Sequence, residues 1–171
     1  DLPYGTTACK WDTIIPFEKL WLQYERIIKD DGVIVLTASQ PFTSILITSN
    51  LKLFRYEWIW KKTRPSGSML CNKQPLKDHE NVLIFYKNFG VYNPQMEETK
   101  RVIEKERTVN KGEIVNNQKL TRKFDNKGLA YPRSIREFAN PNNNSLHPTQ
   151  KPVALFEYLI RTYTNENDVV L

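Results

Sequence analysis

Residues Asp1 to Gly5, DLPYG, set a carboxylate, a proline and an aromatic ring within four positions and place a glycine behind them. Proline and glycine punctuate ordinary loops, so composition alone reads this stretch as a turn. The alternative is a reaction site in which the carboxylate and the ring meet a substrate, and the rest of the chain has to decide between the two. A second stretch, HPTQKP at His147 to Pro152, reads by itself as a helix start, with Thr149 as the cap and prolines stiffening the entry. A third, KKTRPSG at Lys61 to Gly67, gathers Lys61, Lys62 and Arg64, which taken singly form a solvated charged face. Cys9, Cys71, His79 and His147 are scattered, without the spacing of a disulfide framework or of metal ligands. Free thiols and no metal are therefore expected.

These residues must be positioned by regular elements, and periodicity supplies them. Phe17, Leu20, Trp21, Tyr24, Ile27 and Ile28 recur every three to four residues after Pro16 and before Gly32, which predicts a helix with one apolar face. VIVLT at Val33 to Thr37 is a continuous apolar, β-branched run of buried-strand type. A short helix is expected over Phe42 to Asn50. FRYEWIW then alternates Phe54, Tyr56, Trp58 and Trp60 against Arg55, Glu57 and Ile59, the period of a strand with unequal faces. NVLIFY at Asn81 to Tyr86 is another buried strand. Strands alternating with helices predict an α/β domain built on a parallel-type sheet. Near the end, Leu155, Phe156, Leu159, Ile160 and Tyr163 form the stripe of a further helix, and NENDVVL is expected to turn into a strand.

The chain has 171 residues, 40% hydrophobic and 12% aromatic, which suffices for about one packed domain. No apolar run reaches the ~18 residues of a membrane span, and the first residues lack a signal-peptide layout. A soluble, cytoplasmic protein is expected. The net charge is +6, and the stretch from 88 to 146, with eleven basic and seven acidic residues, holds most of it. Such a balance favours a polyanionic partner. That stretch is polar and Asn/Pro-rich, but Tyr92, Ile103, Val109, Ile114, Val115, Leu120, Phe124, Leu129, Tyr131, Ile135 and Phe138 supply material for a small core of its own. The expected division is 1–87 as a catalytic α/β portion, 88–146 as an inserted basic lobe, and 147–171 as a helix and the start of the next core strand. None of the six glycines forms a Gly-x-Gly loop, and the last strand begins at Val169 without a carboxyl end, so a fragment is expected.

In order and spacing, DLPYG, YEWIWKK, DHENVLIFYK, HPTQKP and the terminal NDVVL resemble the amino-methylating DNA methyltransferases of the class whose catalytic motif precedes its cofactor motif. The resemblance covers nearly the whole chain. It implies a Rossmann-like S-adenosylmethionine-dependent fold, here partial, with the basic lobe as an inserted target-recognition element. It also implies roles for the first four residues. The Asp1 carboxylate and the Leu2 carbonyl accept the two protons of an exocyclic amine, Pro3 holds the turn, and Tyr4 offers a face to an extruded base. The family usually carries proline where this chain has Leu2, a departure that a carbonyl acceptor tolerates. Aspartate at the first position resembles the adenine-N6 enzymes, whereas cytosine-N4 enzymes more often carry serine there.

By the same resemblance, Thr149, Gln150 and Lys151 line the methionine end of S-adenosylmethionine, and His147 is structural. Lys61, Lys62 and Arg64, together with Arg122, Lys123 and Arg133 of the lobe, are the expected DNA contacts. The function implied is methyl transfer to adenine N6 in double-stranded DNA with an extruded target base, as in restriction-modification systems of bacteria or phage, with a second copy of the chain as a candidate partner. Alternatives are an enzyme acting on cytosine N4 or on RNA, and a non-catalytic nucleic-acid-binding remnant of the fold. As a fragment, the chain is expected to bind the cofactor weakly and to show little turnover by itself.

Overall fold

A computed structural model describes residues 1–102, 104–110, 119–141, 146–147 and 149–171, with the backbone alone at 104–110 and 119–124. It divides into two compact units, Asp1–Asn93 with Arg133–Leu171, and Pro94–Pro132.

The first unit opens with an irregular segment and then helix α1 (Phe17–Ile27), followed by strand β1 (Ile34–Ala38), helix α2 (Phe42–Ser49), the long strand β2 (Phe54–Ser66) and strand β3 (Lys77–Phe85). After the second unit, which holds β4 (Glu97–Glu98), β5 (Glu104–Asn110), β6 (Lys119–Asp125) and β7 (Leu129–Ala130), the chain returns as β8 (Ile135–Phe138) and helix α3 (Val153–Tyr163). Leu20 and Trp21 are the residues of α1 that are buried, and Trp21 donates from Nε1 to Ser49 Oγ at 2.8 Å, tying α1 to the end of α2.

The sheet of the first unit has the order β1-β3-β2-β8. β3 runs antiparallel to both β1 and β2, and β8 pairs parallel to β2 with Ile59 opposite Ile135. The expected parallel-type sheet is thus corrected in one respect: β1 and β2 share a direction but are not neighbours, because β3 lies between them. The physical reason is in β3 itself. Val82, Leu83, Ile84 and Phe85 are all fully buried, an apolar run that suits the middle of the sheet, where β1 and β2 take its two edges and both faces are covered. Period two then sends Leu83 and Phe85 to a core with Trp21, Leu36, Phe42 and Leu46, and Val82 and Ile84 to a second core with Trp58, Trp60, Leu155, Leu159 and Tyr163. Helices α1 and α2 serve the first core and α3 the second, giving an α/β/α arrangement.

Other boundaries also differ from expectation. β2 continues to Ser66 and β3 starts at Lys77, so the basic KKTRPSG stretch is strand as far as Ser66. α3 starts at Val153 after Pro152, with no side-chain cap, so Thr149 does not cap it. Val169 to Leu171 form no strand, because no described strand lies alongside to pair with them. The second compact unit is narrower than 88–146, since β8 is recruited to the main sheet by its pairing with β2. Within that unit β5 and β6 form an antiparallel hairpin, and β4 pairs with β7. The expected lobe-core residues Ile103, Ile114 and Val115 lie outside the described residues. Among the described residues, no helix is long and apolar enough to cross a membrane.

Candidate active site

The register of the sheet builds one corner of the molecule. Pairing Thr37 with Val82 and Ala38 with Asn81 sets the end of β1 beside the start of β3, while Trp60 opposite Glu80 brings β2 to the same level. The first residues of the chain lie over this corner. Asp1 Oδ1 accepts a hydrogen bond from the Thr37 hydroxyl at 2.7 Å, and the Tyr4 hydroxyl stands 3.3 Å from Asp1 Oδ1 and 3.3 Å from Glu80 Oε2. Burial, reinforced by the Glu80 charge, pushes the Tyr4 phenol well above its ordinary pKa, so it acts as a donor. One face of the Tyr4 ring stacks on Phe42, with centroids 5.3 Å apart. Leu2 packs against the first core beside Tyr4, and Pro3 lines the adjoining cleft.

The turn behind Tyr4 is held by a residue that sequence reasoning passed over. Asp12, 8% exposed, accepts from the backbone N–H groups of Gly5, Thr6 and Thr7 at 2.9, 2.9 and 2.7 Å, and from the Thr7 hydroxyl at 2.8 Å. Its burial works against the charge, but these donors outweigh it and hold the carboxyl down at about 2. Gly5 adopts φ of 66°, and a Cβ there would stand 2.9 Å from Ile14 Cγ1, so glycine is required for the backbone to reach Asp12.

Four charged groups alternate in sign across the corner. Lys151 Nζ lies 3.4 Å from Asp1 Oδ2 and 3.3 Å from Glu80 Oε2, and Lys62 Nζ lies 2.7 Å from Glu80 Oε1. The side chains of Lys151, Glu80 and Lys62 are 6%, 11% and 11% exposed. Burial opposes the charge on Glu80, yet the Lys151 ammonium, with Lys62, holds its carboxyl below the ordinary value. Lys151 also stands 5.0 Å from the Tyr4 ring centroid. In the sequence Glu80 stands out only as part of DHENVLIFYK. Its one signal there is an acid set directly against a buried apolar run, where it needs a partner.

These groups open onto a cleft of about 640 Å³, lined by Asp1 to Tyr4, Trp11, Lys62, Arg64, Glu80, Asn140 and Thr149 to Lys151 among others. The structure therefore brings the two chemistry-bearing motifs to one wall. Thr149 and Gln150 belong to a tight turn in which the Gln150 N–H donates to His147 O at 3.0 Å and the Thr149 hydroxyl lies 3.0 Å from His147 Nδ1. The His147 ring meets Trp11 edge-on at 5.1 Å. Pro148 of that motif lies outside the described residues.

Of the expected DNA contacts, Lys62 faces the cleft in its pair with Glu80, and Lys61 pairs with Glu137 at 2.8 Å. The Arg64 guanidinium donates to Pro141 O at 3.3 Å, while the Asn140 side chain bonds the Arg64 backbone. Arg133 is exposed. Arg122 and Lys123 lie on β6 of the second unit, opposite Arg107 and Glu106 in register.

A mixed sheet with an antiparallel strand between two co-directional ones and helices on both faces define a Rossmann-like fold, with the Asp1 carboxylate lining its cleft. The chain matches the DNA methylase family model for N6/N4 enzymes over residues 7–171, and it belongs to that family. The match leaves DLPYG outside it, so the reading of that motif rests on its own residues and geometry. The chain is 28% identical over 179 aligned residues to the type II methyltransferase M.HpaI of Haemophilus parainfluenzae, an alignment covering 98% of this chain and 51% of the relative. It also resembles the crystal structure of an M1.HpyAVI–SAM complex, with TM-score 0.53 and 22% identity, covering 90% of this chain and 66% of the other. The chain thus spans about half the length of the curated relative and about two thirds of the solved one.

Proposed function

We propose that this chain carries the catalytic wall of a DNA methyltransferase that transfers a methyl group from S-adenosylmethionine to adenine N6. The observation that carries the reading is the Asp1 carboxylate, fixed by Thr37 and Tyr4 at the mouth of the cleft and backed by the Asp12-clamped turn. An exocyclic amine is a poor nucleophile because its lone pair is delocalised into the ring. Asp1 Oδ2 and the Leu2 carbonyl are the acceptors for its two protons. Bonding them draws the nitrogen toward tetrahedral geometry and stabilises the positive charge that develops on it. Because Thr37 and Tyr4 already hold the Asp1 carboxylate, this acceptor needs no reorganisation at the moment of transfer. The nitrogen loses a proton only after it has become cationic, so no general base is required beforehand. Aspartate at this position supports adenine over cytosine.

The cleft fits the cofactor's chemistry. It has room for a ligand of that size, and at the 149–150 turn the Thr149 hydroxyl beside His147 and the N–H groups of the Gln150 side-chain amide, whose oxygen accepts from Leu146, suit the amine and the carboxylate of the methionine end. Thr149 and Gln150 would hold the methionine end, while Lys151 spans Asp1 and Glu80. When bound, S-adenosylmethionine supplies the electrophilic methyl group. For DNA, the supporting observations are Arg64, which lines the cleft with its guanidinium on the Pro141 carbonyl, and the Pro94–Pro132 unit, with nine basic against six acidic residues, which serves as target-recognition element. Incubating the intact protein with labelled S-adenosylmethionine and either duplex DNA or RNA, then identifying the labelled nucleoside, tests the reading. N6-methyladenine in DNA supports it, whereas label in N4-methylcytosine, in RNA, or in neither polymer overturns it.

A further inference from the structure

We propose that Glu80 is a positioning residue that shares Lys151 with Asp1 and thereby keeps an acceptor position on the Asp1 carboxylate open for the target amine. This deepens the methyltransferase reading and rests on it. An ionised carboxylate offers about four lone-pair positions. On Asp1, the Thr37 hydroxyl takes one, the Tyr4 hydroxyl reaches a second, and Lys151 approaches a third from 3.4 Å. An ammonium committed to a single carboxylate sits at about 2.7–2.9 Å. Lys151 is at neither Asp1 nor Glu80 at such a distance, but between them, at 3.4 and 3.3 Å. Glu80 cannot follow the lysine across the cleft, because its other oxygen is fixed by Lys62 at 2.7 Å. Lys151 is itself 8% exposed, which leaves it little solvent as an alternative partner.

Both hydroxyls lie on Asp1 Oδ1, so Lys151 and the amine share Oδ2, and without the Glu80 charge Lys151 closes on Oδ2, crowds the remaining position and withdraws its negative charge from the amine. The acceptor matters most as charge develops on nitrogen, so the loss falls on the transition state and appears in kcat rather than KM.

The test is Glu80→Gln in the intact protein, which keeps the shape and removes the charge. Its crystal structure is expected to show Lys151 Nζ within about 2.8 Å of Asp1 Oδ2. Kinetically, kcat is expected to fall at least ~10-fold, with KM for DNA and for S-adenosylmethionine within about threefold of the parent. The double variant Glu80→Gln/Lys151→Met removes the over-neutralising ammonium and is expected to regain part of that kcat, a non-additivity that a merely structural glutamate would not give. Lys151 remaining midway in the crystal, an unchanged kcat in Glu80→Gln, or a double variant no better than the single one would each overturn the proposal. If the parent protein transfers no methyl group to DNA, the methyltransferase reading fails separately, and the position of Lys151 in Glu80→Gln still decides what Glu80 does.

Discussion

Two aspartates eleven residues apart do opposite work at this site, and the difference lies in their partners. Asp1 has donors along one side and faces the cleft, whereas Asp12 spends its whole carboxylate on backbone N–H groups and one hydroxyl. In the sequence, Asp1 and Tyr4 stand out through the resemblance that DLPYG carries in order with the later motifs, since the stretch by itself reads as an ordinary turn. Asp12 and Glu80 were not legible there, because their roles depend on partners that only folding brings near: a turn folded back on itself and a lysine 71 positions away. Asp12→Asn is expected to slow methyl transfer and lower the Tm by a few degrees, since an amide replaces one acceptor oxygen with a donor facing N–H groups. The Asp12 carboxyl is held at about 2, below its ordinary 3.8. Its contribution to stability is therefore fully present above the ordinary value and disappears as pH falls toward 2. Thermal melts of parent and Asp12→Asn between pH 7 and 2 are expected to converge at the acid end; a gap of constant size would contradict the clamp. Leu2→Pro restores the residue usual in the family and keeps the carbonyl, so kcat is expected to stay within about threefold. A collapse of activity would show that Leu2 packing against the core sets the turn.

At the scale of elements, the apolar runs at Val33 to Thr37 and Asn81 to Tyr86 were readable as buried strands, and α1 as a one-faced helix. Strand order was not readable. A run buried on both faces fits a parallel interior strand and an antiparallel one equally well, and only pairing decides. The same ambiguity hid β8, whose four residues alternate like many loops until β2 pairs with them. Phe85 is fully buried and meets Trp21 at a tilt and Phe54 edge-on, at 4.9 and 5.5 Å between centroids. Phe85→Ala is expected to destabilise the protein by about 3–5 kcal/mol in denaturant titrations, and a loss under about 1 kcal/mol would contradict the placement of β3 in the interior. In the second unit, Arg122 and Lys123 on β6 are proposed to neutralise phosphates. Replacing both with alanine is expected to weaken binding to all DNA sequences alike and to flatten the plot of log affinity against log salt by about 0.9 for each phosphate left without its cation. Relaxed discrimination with an unchanged slope would place them on base edges instead, and no change in either would remove them from the interface.

At the scale of the whole chain, the site exists only where distant segments converge. Asp1 comes from the first turn, Thr37 from the end of β1, Glu80 from the start of β3, and Lys151 from the loop before α3. The two motifs at residues 1 to 5 and 147 to 152 are separated by most of the sequence, including the Pro94–Pro132 unit, yet they line one cleft. Their convergence comes from the fold, through the pairing of β1, β2 and β3. The remaining question is whether the converged carboxylate acts on the reacting amine. Single-turnover methyl transfer by Asp1→Ala, measured together with its DNA affinity, answers it most directly. The account predicts that transfer falls by about 10³-fold or more while affinity for duplex DNA stays within a few fold, because Asp1 acts on the charge of the transition state and not on the phosphates. An Asp1→Ala protein that methylates adenine at near the parental rate would contradict it.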